Sequence, residues 1–171
     1  MDRALFQESF GDVFEHSPWI AHGAFEAGLT TAQDTAEGLH AAMVQVLSGA
    51  TRERKLALIR AHPDLAGRLK LKDLTADSRT EQASAGLDSL TPEERDRFLA
   101  LNDAYRSRFG FPFIMAVKGR SKDEIMRAFE ERLTHDADQE FDTAMAEIER
   151  IAILRLKERL PSSADAFSTI G

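Results

Sequence analysis

Cysteine is absent from the 171 residues, and its absence removes disulfides, thiol nucleophiles, thiolate zinc sites and iron-sulfur clusters together. Long apolar runs are missing as well. The opening residues, Met1-Asp2-Arg3-Ala4-Leu5-Phe6-Gln7-Glu8, do not form the apolar stretch of a signal peptide. Nothing in the chain approaches the ~20 apolar residues of a membrane span. The end, Ser168-Thr169-Ile170-Gly171, is neither a peroxisomal address nor a prenylation box. The expectation is a cytoplasmic protein without a membrane partner. Excess positive charge is also lacking: the formal net charge is -7 and the sequence pI about 5.3. Nucleic acid is therefore not expected as a partner, because phosphate backbones call for clustered, uncompensated Lys and Arg. An anionic small substrate stays open, since a pocket can differ in sign from the whole chain.

Several chemical signatures are wanting too. There is no glycine-rich phosphate loop and no G-x-S-x-G nucleophile elbow. The histidines are His16, His22, His40, His62 and His135, and none makes an H-E-x-x-H or an i, i+4 pair. No metal site is expected from such spacing.

What is present reads as one globular, all-α domain. Hydrophobic residues make up 43% and charged residues 30% of the chain, an ordinary globular balance, and the length suits a single core. Period-two alternation is nearly absent, whereas helix punctuation is frequent. Ser17-Pro18 offers a capping hydroxyl followed by proline, Thr91-Pro92-Glu93-Glu94 adds a capping box to the same device, and Ser121-Lys122-Asp123-Glu124 is a second box. Phe98, Leu101, Tyr105 and Phe109 share one helical face, which Gly110 and Pro112 end. Further helices are predicted over 5–14, 18–27, 35–47, 52–61, 76–85 and 137–160, the last with Phe141, Met145, Ile148 and Ala152 on one stripe. The expected architecture is a single-domain helical bundle over 1–171, with 161–171 as a loosely packed tail. One short buried extended segment is expected near 111–117, because Phe111-Pro112-Phe113-Ile114-Met115-Ala116-Val117 is apolar, proline-broken and too short for a packed helix. Its backbone polar groups must find partners.

Three features are costly for a plain bundle. His62, before Pro63, sits at a predicted helix end, where the dipole favours a charged imidazole; an ordinary helix-end histidine accounts for it as well as catalysis does. Ser78, Glu81, Gln82 and Ala85 fall on one helical face, offering hydroxyl, carboxylate and amide together. Ser-x-x-Glu is equally a capping box. Arg155 falls on the apolar stripe seven residues after Ile148, so its charge needs an anion. That anion is either a structural carboxylate such as Glu140 or Glu81, or a bound substrate.

Taken together, Glu15-His16-Ser17-Pro18-Trp19, His62-Pro63-Asp64-Leu65, Ser78-x-x-Glu81-Gln82-x-x-x-Gly86-Leu87, Asn102-x-x-Tyr105, Phe109-Gly110-Phe111-Pro112-Phe113 and Ile151-x-x-x-Arg155-Leu156 resemble the 2-oxo-4-hydroxy-4-carboxy-5-ureidoimidazoline (OHCU) decarboxylases over nearly the whole chain. The resemblance implies an all-helical fold, a homodimer, a small ureidoimidazoline substrate, and cofactor-free loss of carbon dioxide to give (S)-allantoin in urate breakdown. It implies that His62 is the catalytic histidine and Glu81 an essential carboxylate. Pro63, Ser78, Gln82 and Arg155 match substrate contacts, and Phe113, Ile114, Met115, Ala116 and Val117 match a stretch that offers backbone groups to the ligand. Glu15-His16-Ser17-Pro18-Trp19 is expected to be structural. Two other readings compete: a binding or regulatory module that retains the pocket without turnover, and a metal-dependent helical hydrolase.

Overall fold

The computed structural model describes residues 1–62 and 90–162. These contain seven α-helices and no strand: α1 (Arg3–Phe10), α2 (Trp19–Glu26), α3 (Ala36–Ser48), α4 (Arg52–Ala61), α5 (Pro92–Phe109), α6 (Lys122–Arg132) and α7 (Ala137–Arg159). A single 3-10 turn, Thr31–Asp34, precedes α3. The predicted all-α class holds. The helix expected over 76–85 lies outside the described residues, as do residues 163–171 of the expected tail. None of the described helices is long and apolar enough to cross a membrane.

The chain divides into two compact units, Met1–Leu58 with Glu149–Gly171, and Ile59–Ile148. In the first, α1 packs on α2 and α2 on α3, burying Phe6, Phe10, Ile20, Ala24, Leu39, Met43 and Leu47. Asp2 caps α1 by accepting from the Leu5 N–H at 2.9 Å, and Thr35 caps α3 by accepting from the Gly38 N–H at 3.1 Å. Each such cap is worth ~1 kcal/mol. Gly38 has a second reason to lack a side chain: a Cβ there would lie 1.6 Å from the Ala32 carbonyl oxygen of the 3-10 turn. The first amide of α3, at Ala36, is satisfied from far along the chain by the Pro161 carbonyl at 2.9 Å, so the start of the expected tail is tied down.

Two expected boundaries moved. α1 begins at Arg3 and stops at Phe10 instead of running to Phe14; the chain from 11 to 18 is irregular, with His16 at φ 51°. The helix expected from Pro18 with Ser17 as its cap begins one residue later, at Trp19, with Pro18 in the cap position at φ -64° and ψ -15° and no side-chain cap bond. The Ser17 carbonyl accepts from the Ile20 N–H at 3.3 Å, and the Pro18 carbonyl from the His22 N–H at 3.1 Å.

In the second unit, α5 packs on α6. The Thr91–Glu94 capping box is closed in both directions, at 3.2 and 3.0 Å. Lys122, at the start of α6, donates to the same Glu94 carboxylate at 2.9 Å; this bond first, and then the Thr91 backbone N–H, lower the Glu94 pKa. The second box is half formed. Ser121 accepts from the Glu124 N–H at 3.2 Å, but the Glu124 carboxylate turns to the Ser121 hydroxyl at 3.4 Å and to Arg120 at 4.0 Å. Helix α5 ends at Gly110, left-handed at φ 74°, as a stop written by glycine requires. Its buried face is Phe98, Asn102 and Tyr105, rotated from the predicted one because Leu101 and Phe109 are only half-buried.

Candidate active site

Residues 111–117 are all buried, and 112–117 are neither helix, turn nor bend. The short apolar segment predicted from sequence is therefore present as extended chain, without a strand partner among the described residues. Aromatic rings hold its start. Phe113 stacks on Phe129 with centroids 3.7 Å apart and meets Tyr105 edge-on at 5.2 Å. Two side chains satisfy its backbone: Arg132 donates from Nη1 to the Ile114 carbonyl at 2.6 Å, and the Ala116 N–H donates to Glu147 Oε2 at 3.0 Å. The Val117 carbonyl accepts from the Arg120 N–H at 3.0 Å in the turn that follows.

Arg132 is itself part of a buried polar cluster. Its Nε donates to Glu140 Oε1 at 2.7 Å, and its guanidinium lies 4.3 Å from the centre of the Phe113 ring. The Tyr105 hydroxyl donates to the same Glu140 oxygen at 2.6 Å, while His135 Nδ1 stands 3.0 Å from Oε2. Burial, and next the bond to Glu140, hold the Tyr105 phenol neutral well above the ordinary tyrosine range. Asn102, one turn before Tyr105, is buried with an Oδ1 that meets no donor among the described residues.

His62 follows directly on α4 and is 3% exposed. Its N–H closes a turn onto the Ile59 carbonyl at 3.2 Å, so backbone geometry fixes the ring's origin at a helix C-terminus. Arg60, two residues earlier, reaches from Nε to the Gly110 carbonyl at 3.4 Å. The approach to His62 and the approach to the 111–117 segment are thus joined within one unit.

Arg155 belongs to the other unit. It is 1% exposed, and its Nη1 lies 2.9 Å from Oε2 of the fully buried Glu15 and 3.1 Å from the Val13 carbonyl. Among the described residues its carboxylate partner is Glu15, while Glu140 pairs with Arg132; Glu81 is outside the described residues. Arg159, one turn on, donates to the Ser9 carbonyl at 3.0 Å and to Asp12 at 2.6 Å. The two arginines stitch the irregular stretch after α1 to the end of α7, which explains why Glu15 occupies an otherwise unaccountable position inside the protein. Pro63, Ser78, Glu81 and Gln82 lie outside the described residues. Among those described, no three His, Asp or Glu side chains stand close enough to hold a metal ion.

A family model described as OHCU decarboxylase matches residues 1–157. The chain belongs to the OHCU decarboxylase family. It is 45% identical over 157 residues to a 2-oxo-4-hydroxy-4-carboxy-5-ureidoimidazoline decarboxylase of Halalkalicoccus jeotgali, covering 92% of this chain and 86% of the relative. It is 44% identical over 162 residues to a protein of the same name from Haloferax volcanii, covering 95% and 93%. Among solved structures, an (S)-allantoin synthase superposes with a TM-score of 0.73 at 31% identity, over 94% of this chain and 51% of that one. This chain spans about half the length of that synthase. Arg132 and Glu147 gain roles from the structure that their sequence positions did not suggest, while Glu140, named as a candidate partner of Arg155, pairs with Arg132, and Glu15 pairs with Arg155.

Proposed function

We propose that this OHCU decarboxylase converts 2-oxo-4-hydroxy-4-carboxy-5-ureidoimidazoline to (S)-allantoin and carbon dioxide, in urate breakdown, without metal or organic cofactor. The single observation that carries the reading is the family match across residues 1–157. A buried His62 and, in the same compact unit, a buried non-helical backbone segment support it, because these are the groups such a substrate needs: a proton carrier and polar backbone to read ring N–H and C=O groups.

The chemistry supplies its own electron sink. As the bond to the departing carboxylate breaks, the electron pair moves into the ring's conjugated C=N, so pyridoxal or thiamine chemistry is unnecessary. The ring nitrogen that receives the pair takes up a proton, and protonation of the resulting enol at carbon on one face, with release of the hydroxyl proton to form the carbonyl, creates the S centre. One proton is consumed overall, since the carboxylate leaves as neutral carbon dioxide. The protein must hold the leaving carboxylate out of the conjugated plane, shield one face and manage the protons. His62 acts as general acid and base, a role worth roughly 10² to 10⁴ in rate. Glu81 accepts from substrate N–H groups and orients the ring, with Pro63, Ser78 and Gln82 completing the cradle. Phe113, Ile114, Met115, Ala116 and Val117 contribute the backbone surface, and Arg155 meets a substrate oxygen. The working unit is one domain, cytoplasmic and homodimeric.

Circular dichroism tests the reading directly: urate is oxidised and hydrolysed in situ to the unstable ureidoimidazoline, with and without the protein. The expected result is rapid growth of an (S)-allantoin signal. A slow, optically silent conversion equal to the blank, with the protein nonetheless stabilised by allantoin, would leave a binding module in its place. Stoichiometric zinc or manganese in active protein would point instead to a metal-dependent hydrolase.

A further inference from the structure

Building on that function, we propose that Arg132 and Glu147 are positioning residues that fix the 113–117 segment along one edge and so set the backbone groups that meet the substrate. In extended chain, the N–H and C=O groups of alternate residues point to the same side. The Ile114 carbonyl and the Ala116 N–H, two residues apart, therefore share an edge, and both are taken by side chains from helices, Arg132 of α6 and Glu147 of α7. By the same alternation the groups of Phe113 and Met115 fall to the opposite edge, the one a ligand would read, while the Val117 carbonyl is held by the Arg120 N–H.

The expense of the device argues that position is its purpose. A buried guanidinium and carboxylate in an aromatic cluster contribute little net stability over well-packed apolar residues. Here Arg132 is 6% exposed and Glu140 fully buried, and Glu140 also receives the Tyr105 hydroxyl and faces His135. The cluster thereby connects α5, α6 and α7 to a single carbonyl of the segment. Glu147 adds the second point, and two fixed points determine an edge where one would leave a pivot. A backbone reader needs that definition, because misplacement by ~0.5 Å already degrades a binding constellation.

Glu147 is the cleaner test, since it is only half-buried. Glu147→Gln keeps an oxygen that accepts from Ala116, Glu147→Ala keeps none, and Glu147→Asp retains the charge but stops one methylene short. The readouts are KM and kcat for (S)-allantoin formation, calorimetric affinity for (S)-allantoin, and amide exchange at Ala116. Glu147→Ala and Glu147→Asp should raise KM and weaken (S)-allantoin binding by roughly ten-fold, more than they lower kcat, and speed Ala116 exchange; a hydrogen bond to a charged group is of that size. Glu147→Gln should restore most of both. Arg132→Lys, which cannot hold Glu140 and the Ile114 carbonyl together, should shift KM in the same direction. Equal damage from Gln and Ala, or a folded Glu147→Ala protein with unaltered KM and affinity, overturns the inference while an active parent protein keeps the function intact. A parent protein that neither forms nor binds (S)-allantoin overturns the function, and this inference with it.

Discussion

Arg155 and Glu15, 140 positions apart in the chain, form an ion pair at 2.9 Å with both side chains shut away from solvent. The pair decides where the arginine's charge can be offered. Its Nη1 is shared between the Glu15 carboxylate and the Val13 carbonyl, so the guanidinium's orientation is set by protein before any ligand arrives.

Removing the carboxylate should be costly. Glu15→Ala strips a buried guanidinium of its counter-charge, and the expected loss is roughly 3–5 kcal/mol of folding stability. Urea unfolding with circular dichroism reads it. A loss below about 1 kcal/mol would place the pair in the class of solvent-exposed bridges and remove the argument for a preset guanidinium.

Arg155→Lys should fold, because an ammonium can still pair with Glu15, but it lacks the planar fork that serves two acceptors and a ligand at once. (S)-Allantoin affinity should fall by roughly ten-fold, the worth of a charge-assisted hydrogen bond. Identical affinity in calorimetry would make Arg155 purely structural.

His62→Ala should retain most ligand affinity and lose turnover by roughly 10² to 10⁴. Rapid-mixing assays against in situ substrate, beside calorimetry on the same sample, separate the two. Unchanged kcat would take His62 out of the chemistry.

The only tyrosine in the sequence is Tyr105, so tyrosinate absorbance has one source. Its pKa is raised by burial and then by the Glu140 carboxylate. The neutral phenol's contribution is complete below the unfolded value of ~10 and is lost progressively as pH rises above it toward the higher folded value. Native protein should therefore show no tyrosinate band near pH ~10, and the band should emerge only as helicity is lost. Ordinary titration with the fold intact would contradict the buried Tyr105–Glu140 bond.

Gly38→Ala should destabilise by more than the usual helical preference for alanine would lead one to expect. Alanine ordinarily gains ~1 kcal/mol over glycine inside a helix, but here its methyl would meet the Ala32 carbonyl oxygen at 1.6 Å. A higher melting temperature for this variant would show that the 3-10 turn moves aside freely.

Much of this was legible in sequence where the signal is local. Thr91 and Ser121 announce helix starts through their own hydroxyls, Gly110 with Pro112 announces a stop by breaking the apolar run, and the run from Phe111 to Val117 announces burial through an apolar, proline-broken composition. Arg155 was legible as a charge needing an anion, because the stripe of Ile148 and Ala152 carries it inward. Its partner was not, since Glu15 lies in an irregular stretch with no period to follow. Arg132 was hidden for another reason: it ends a helix crowded with Lys, Arg, Asp and Glu that reads as a solvated face. Its bonds to Glu140 and the Ile114 carbonyl, which no local pattern announces, give it an interior role. Asn102 was legible only as part of the Asn102-x-x-Tyr105 motif, because an amide on a helix face carries no charge to explain.

The pairing of Arg54 with Trp19, whose ring centre lies 3.9 Å from the guanidinium carbon, has a practical consequence. Trp19 is the only tryptophan in the sequence and Tyr105 the only tyrosine, and they fall in different compact units. Each unit thus carries one natural chromophore of its own kind, without labelling or mutation. Indole fluorescence follows the departure of Arg54 from its ring, and phenol absorbance follows the opening of the Glu140 cluster. A single melting scan in both bands distinguishes a protein that unfolds as one cooperative body from one that comes apart in two steps.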